Sequence, residues 1–186
     1  MGQQVRGIRA DEWQAVKELR LAALQDPVAH LAFLESYEEG VAKADSFWQE
    51  RAHGGAEGDG AVRQFVAEGE DGRWIGTVTV LVEEPGVGGP FGSVVEQRQG
   101  HLVAVYIRPE HRGRGVLDAL FEAALKWSWS RGLERVRLLV HERNGRAQQA
   151  YRKAGFVVSG QTTPVPGDAE SREIEMVWVR GDGRGA

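Results

Sequence analysis

The segment Arg108-Pro109-Glu110-His111-Arg112-Gly113-Arg114-Gly115-Val116-Leu117 carries the most chemical information in the chain. An apolar run over 101–107 leads into it and an amphipathic series leads out of it, so the spacing predicts a strand, a glycine turn and the opening of a helix. Such a turn aims several backbone N–H groups and the positive end of a helix at one point, which suits a pyrophosphate. Gly113 and Gly115 let the backbone approach an anion without a Cβ in the way, and Arg112 and Arg114 add charge. No Gly-Lys-Ser/Thr follows, so this is not a kinase-type P-loop, and the third glycine of a dinucleotide fingerprint is missing. On spacing alone, a plain glycine turn with a solvated basic rim stays open as the alternative.

The elements that would position this turn follow from periodicity. Residues 5–9 read as a short first strand. Asp11 with Gln14 three positions later has capping-box spacing for a helix that Pro27 ends. A second, less regular helical stretch runs over 29–52, and 53–60 reads as a glycine-rich loop. Residues 64–68 and 74–82 read as strands around the turn Glu70-Asp71-Gly72-Arg73, and 83–100 as a long glycine-rich connection. The run 101–107 has the unbroken apolar character of a strand buried on both faces. Leu117, Leu120, Phe121, Ala124 and Leu125 mark a helix, 136–140 a buried strand, 144–154 a helix closed by Gly155, and 174–179 a last strand. The order is α+β with a βαβα core in its second half. It predicts one domain over 1–180 and a loose tail over 181–186.

Composition narrows the class. The chain has 186 residues, 41% hydrophobic and 27% charged, the make-up of an ordinary globular domain rather than a disordered one. No stretch approaches the roughly 18 consecutive apolar residues of a membrane span. Residues 1–10 hold Arg6 and Arg9 with no apolar core behind them, so no secretory signal is read there. There is no cysteine, which excludes disulfides, thiolate metal sites and a cysteine nucleophile, and fits a cytoplasmic location. No metal is expected.

The net charge of −4 argues against nucleic acid as a partner, but the charge is uneven. Residues 105–156 hold 11 Lys or Arg against 5 Asp or Glu, whereas 30–60 hold 2 against 7. One half is friendly to anions, the other to cations.

With these elements in place the sequence resembles the GNAT superfamily of N-acetyltransferases. Its turn signature is Arg or Gln, two residues, Gly, one residue, then Gly or Ala. Arg112 and Gly115 match it, and Leu117 departs. The family's second pattern is an Asn after the next strand, a Tyr seven residues on, and Gly-Phe close behind. Here Asn144, Tyr151 and Gly155-Phe156 stand in that order. The motif match spans 101–156, and the order of elements extends the likeness over most of the chain.

The resemblance implies a mixed, mainly antiparallel central sheet with splayed central strands, flanked by helices, and acetyl-CoA as co-substrate in the cleft between those strands. It implies that Val105, Tyr106 and Ile107 pair their backbone with the pantetheine arm, with the Val105 N–H facing the thioester oxygen. Arg112, Gly113, Arg114, Gly115, Val116, Leu117 and Asp118 would hold the pyrophosphate, and Asn144 would contact the cofactor arm. Tyr151 would protonate the departing thiolate, a task within reach of a phenol. Its alternative is a packed aromatic on a helix face.

The amine must lose a proton before it attacks. One branch of the family keeps a Glu base four residues before the first cofactor-pairing position, where this chain has His101, a chemically competent substitute. The peptide-N-terminus branch places a Glu where this chain has Leu139. Glu83, Glu84 and Glu142 are the alternative bases, each reading more readily as a solvated charge. The acidic stretch Glu35, Glu38, Glu39, Asp45 and Glu50 reads as a solvated helix face, or else lines an entrance for a cationic amine. Phe33, Tyr37 and Trp48 read as core.

The expected reaction is direct transfer of acetyl to a small-molecule amine, with a protein or peptide amine second. A non-catalytic acyl-CoA-binding module is the rival. A homodimer is compatible with this reading.

Overall fold

The computed structural model describes residues 2–56, 60–86 and 94–181. Seven strands form one sheet in the order β1 (Gln4–Gly7), β2 (Val62–Glu68), β3 (Trp74–Glu83), β4 (Gln99–Ile107), β5 (Arg135–His141), β7 (Asp168–Val179) and β6 (Val157–Val165). Every pairing is antiparallel except β4 with β5. Parallel neighbours need a crossover, and α5 (Val116–Ser130) supplies it. The architecture is the mixed α+β, mainly antiparallel sheet flanked by helices that the sequence predicts.

Two cores hold the layers. On one face α5 buries Val116, Leu120, Phe121 and Ala124, at helical spacing, against Val78, Leu102 and Leu138. A Cβ on Gly76 of β3 would lie 2.8 Å from Ile107 Cδ1 and 3.2 Å from Leu120 Cδ1, so that glycine lets the helix lie close on the sheet. The helix α6 (Gly145–Lys153) packs on the same side through Ala147 and Tyr151. On the other face α1 (Trp13–Leu24) and α4 (Asp45–Gly55) bury Leu19 and Trp48 against Val66 and Trp74. No helix among the described residues is long and apolar enough to cross a membrane.

The structure corrects several boundaries. The helix expected from Asp11 begins at Trp13 without a side-chain cap, because the Glu12 carboxylate is taken by Arg6 and by the Arg9 N–H at 2.8 Å. The stretch 29–52 breaks into α2 (Ala29–Ala32), α3 (Tyr37–Val41) and α4. Ser36 makes the break: its hydroxyl accepts from the Glu39 N–H at 3.2 Å and its own N–H donates to the Glu39 carboxylate at 2.7 Å. The loop expected over 53–60 is helix as far as Gly55, and 57–59 lie outside the described residues. The connection expected over 83–100 is strand at both ends, and 87–93 lie outside the described residues. Of the tail, 182–186 lie outside them too.

The main addition is the hairpin of β6 with the first half of β7. The β6 sequence Val-Val-Ser-Gly-Gln-Thr-Thr-Pro-Val is largely exposed and lacks an apolar alternation. It is the sheet's edge strand, where Gly160 and Pro164 are tolerated.

Candidate active site

The central strands part company. β4 pairs with β5 only through Gly100, His101 and Leu102, facing Val136, Arg137 and Leu138, and beyond these the two diverge. On its other side β4 carries a bulge: Thr77 faces Tyr106 and Thr79 faces Val103, so Ala104 and Val105 stand opposite Val78 alone. Ala104 has φ of 53°, the one positive φ at a non-glycine among the described residues. A non-glycine side chain in that region is strained, and such strain collects at functional sites. The divergence opens a cleft of about 630 Å³ whose walls include Val103–Val105, Leu138–His141, Asn144, Tyr151 and His101.

Beyond β4 a 3-10 turn (Pro109–His111) leads to the glycine turn. Gly113 and Gly115 have φ of 71° and 79°, left-handed values that glycine adopts without penalty. Gly115 is the N-cap of α5 and offers no side chain to the helix end. Among the described residues, none of the N–H groups of Gly113 to Asp118 finds a hydrogen-bond acceptor. A Cβ built on Gly113 or Gly115 would meet nothing within 4 Å. Orphaned donors bordering open space, at the positive end of a fifteen-residue helix, fit an anion such as a pyrophosphate.

Arg112 departs from its expected part in adding charge to this cradle. Its Nε donates to the Ile107 carbonyl at 2.9 Å, and its Nη2 pairs with Asp26 just past α1. The guanidinium thus ties the end of β4 to the end of α1 and holds the turn in place. Arg114 and Asp118 are exposed at the mouth, and Leu117 is half-buried against the α5 core.

Asn144 is the N-cap of α6, its Oδ1 accepting from the Ala147 N–H at 3.2 Å. Two turns further Tyr151 stacks on Phe121, ring centres 5.6 Å apart, and Phe121 in turn packs on Phe156. Packed aromatic and cleft-lining group are therefore both true of Tyr151. Burial pushes its phenol up to about 12, so it stays protonated and able to donate. Gly155 closes the helix at φ of 102°, and a Cβ there would strike Trp178 at 2.1 Å.

His101, nearly inaccessible, lies at the junction where β4 still pairs with β5. Its Nδ1 is 3.4 Å from Glu83 Oε2. Glu83 is fixed by Arg137, whose Nε and Nη2 donate at 2.8 and 2.7 Å, and by Gln99 Nε2 at 3.0 Å. Arg137 also reaches Glu175 at 3.1 Å, and Arg135 pairs with Glu175 at 2.7 Å. Burial lowers the His101 pKa, and the positive charge of Arg137 acts the same way against the opposing pull of Glu83. Burial also works against the Glu83 charge, but the hydrogen bonds from His101 and Arg137 outweigh it and leave its carboxyl at about 2.

Glu83 is therefore no solvated charge. The sequence hint was the alternation of polar with apolar residues inside strands, as in Arg135-Val136-Arg137. Glu84, paired with Arg98 at 2.9 Å, and Glu142, accepting from the Arg172 N–H at 3.0 Å, are exposed as expected.

Glu38, Glu39, Asp45 and Glu50 of the acidic stretch are exposed as expected, whereas Glu35 is half-buried. Glu35 is shared by Arg20, at 3.1 Å, and Lys43. Asp45 pairs with Lys17 at 2.9 Å, and Glu39 is used within α3. Glu35 and Glu50 line the cleft, but with Arg20, Lys43 and Arg51, which sequence reasoning did not single out. Trp48 is core, and Phe33 both packs against that core and lines the cleft beneath the Arg20 guanidinium, 4.4 Å away.

Comparisons with known proteins agree with this geometry. Residues 13–156 match the family model "Acetyltransferase (GNAT) family". A streptothricin acetyltransferase of Escherichia coli is 39% identical over 80 residues, 40% of this chain and 44% of that protein. The chain spans about half the length of the curated relatives it matches. Among solved structures, a GNAT-family acetyltransferase from Streptococcus pneumoniae aligns with a TM-score of 0.73 at 18% identity, over 95% of this chain and 99% of that one. The PaiA N-acetyltransferase of Thermoplasma acidophilum, in complex with coenzyme A, aligns with a TM-score of 0.69 at 17% identity, over 96% and 100%. The chain belongs to the acetyltransferase (GNAT) family, an acyltransferase family that draws its acetyl group from acetyl-CoA.

Proposed function

We propose that this chain transfers the acetyl group of acetyl-CoA to the primary amine of a small molecule, by direct attack with both substrates in the cleft. The observation that carries the reading is the run of β4. It passes through His101 in the cleft, parts from β5 after Leu102, and ends at a turn whose N–H groups are unused. Bound acetyl-CoA supplies an activated acyl thioester.

The N–H groups of Gly113 to Asp118 hold its pyrophosphate, with Arg112 positioning the turn through Asp26. Val105, Tyr106 and Ile107 offer backbone groups to the pantetheine arm, and the Val105 N–H faces the oxygen on which negative charge develops. Asn144 borders the arm from the opposite strand's end.

His101 takes the ammonium proton. With Nδ1–H directed at Glu83, the other ring nitrogen is the acceptor, and a water carries the proton because the ring is so buried. Tyr151 donates to the departing sulfur. A phenol held at about 12 is a weaker acid than a thiol of about 8.5, so its contribution is a hydrogen bond to the thiolate before it is a completed proton transfer. The chain has no cysteine to carry the acetyl group between substrates.

The test is release of free thiol from acetyl-CoA across a panel of amines. Thiol release that depends on an amine, with matching acetylated product, is expected. Thermal stabilisation by CoA with no thiol released for any amine would instead make the chain a binding module.

A further inference from the structure

Arg51 bears on what the acceptor carries besides its amine. It stands on α4, half-buried in the wall of the cleft, and among the described residues its guanidinium has neither a hydrogen bond nor an ion pair. Its donors are uncommitted to the protein and are presented to the cleft, where a planar guanidinium can take an anion. Its neighbours compensate it only in part, the Glu35 carboxylate acting on it from a distance while Arg20 opposes it. Arg20 faces the same space from α1, and Glu35, the nearby half-buried carboxylate, is already shared between Arg20 and Lys43.

Arg20 and Arg51 also border a recess of about 20 Å³ beneath the strained Ala104, with room for about one water-sized group. Gln64 and Thr77 line it too, the Gln64 Nε2 donating to Thr77 Oγ1 at 3.0 Å. The other carboxylates on the cleft wall, Glu50 and Glu173, do not line the recess.

We infer that the acceptor is an amine that also carries a carboxylate, an amino-acid-like zwitterion, whose carboxylate is received by Arg51 with Arg20 beside it while its amine faces His101. The planar guanidinium fork matches a carboxylate in two-point contact. A recess this small admits one oxygen of the anionic group, the other staying on the guanidinium fork in the cleft. Burial and the charge of Arg20 lower the Arg51 pKa against the partial pull of Glu35, and an incoming carboxylate would add to that pull. The assignment rests on the acetyl-transfer reading of the cleft and replaces the alternative of a cationic acceptor drawn in by an acidic wall.

Matched amines test it: lysine against cadaverine, 4-aminobutyrate against butylamine, phenylalanine against phenethylamine, and phosphoethanolamine against ethanolamine. Turnover is read as thiol release, and binding by calorimetry in the presence of CoA. At least one carboxylate-bearing member is expected to surpass its partner by about tenfold or more in kcat/KM and in affinity, and Arg51→Gln to erase that preference while Arg51→Lys keeps part of it. Arg51-dependent binding of the carboxylates without thiol release would keep the assignment and overturn the acetyl-transfer reading. Equal use of the partners, no binding preference for any carboxylate, a preference that survives in Arg51→Gln, or a preference confined to phosphoethanolamine would overturn the assignment.

Discussion

His101 and Glu83 face each other at 3.4 Å, Nδ1 to Oε2, from adjacent strands and almost without access to solvent. Even with His101 neutral, Glu83 stays ionised, because Arg137 grips both of its oxygens. A carboxylate this close favours a proton on the facing Nδ1. An acid–base group set in this way has a pH signature.

His101 titrates below the ordinary histidine value, so kcat/KM is expected to rise with pH through an acidic limb below about 6.5 and then level off. His101→Ala and His101→Gln should both lose the limb and most of the rate, and circular dichroism should show the glutamine variant folded. Wild-type rates with an unchanged limb in both variants would make His101 structural.

Glu83→Gln keeps the shape but removes one of the two carboxylates that hold Arg137, leaving Glu175 at 3.1 Å. The loss of stability, read from denaturant melts, is expected to fall below the roughly 3–5 kcal/mol of a buried charge left with no partner. The wild-type contribution is present above the unfolded carboxyl value of 4.5 and is lost as pH falls toward about 2. The stability difference between the two proteins should therefore shrink across that window. An equal difference at pH 7 and pH 3 would contradict it.

Tyr151→Phe should lower kcat by about tenfold to a thousandfold and leave CoA affinity nearly unchanged, the pattern of a contact used mainly in the transition state. With its phenol held near 12, Tyr151 adds no alkaline limb below about pH 11. Pre-steady-state kinetics should establish that chemistry limits the rate before the comparison is made.

Gly115→Asp places a carboxylate in the open space of the cradle at φ of 79°. Asn tolerates that backbone about as well as Asp, so Gly115→Asn controls for strain. The Asp variant should lose CoA-dependent thermal stabilisation and the Asn variant should keep part of it. Equal CoA affinity in wild type and the Asp variant would rule out the cradle.

Local pattern made much of this legible. The turn at 112–117 was readable because glycine at positive φ and a helix start leave sequence marks, as do Asn144, Tyr151 and Gly155. The parallel pair β4–β5 announced itself through apolar runs on either side of an amphipathic helix. Glu83, Arg137 and Glu175 were harder, since their partners are distant in sequence: 54 residues separate Glu83 from Arg137 and 38 separate Arg137 from Glu175. Only the register of β3, β4, β5 and β7 brings them to one face. Arg112 misled for the same reason, its partner Asp26 lying 86 residues away. The edge strand β6 was invisible because an edge hairpin needs no apolar alternation to be held by its neighbour.

A sheet joined at its middle by three residue pairs is mechanically two half-sheets, β1 to β4 and β5 to β6, with the Gly100–Leu102 seam as a hinge. Amide exchange should follow that division. Protection is expected to be high at the seam and low for the groups of residues 103–107 and 139–141 that face across the gap. A cofactor arm laid along the gap would act as a missing strand and clamp the halves. CoA should then slow exchange on both lips together, and the loosest part of the empty protein would become one of its stiffest parts when loaded.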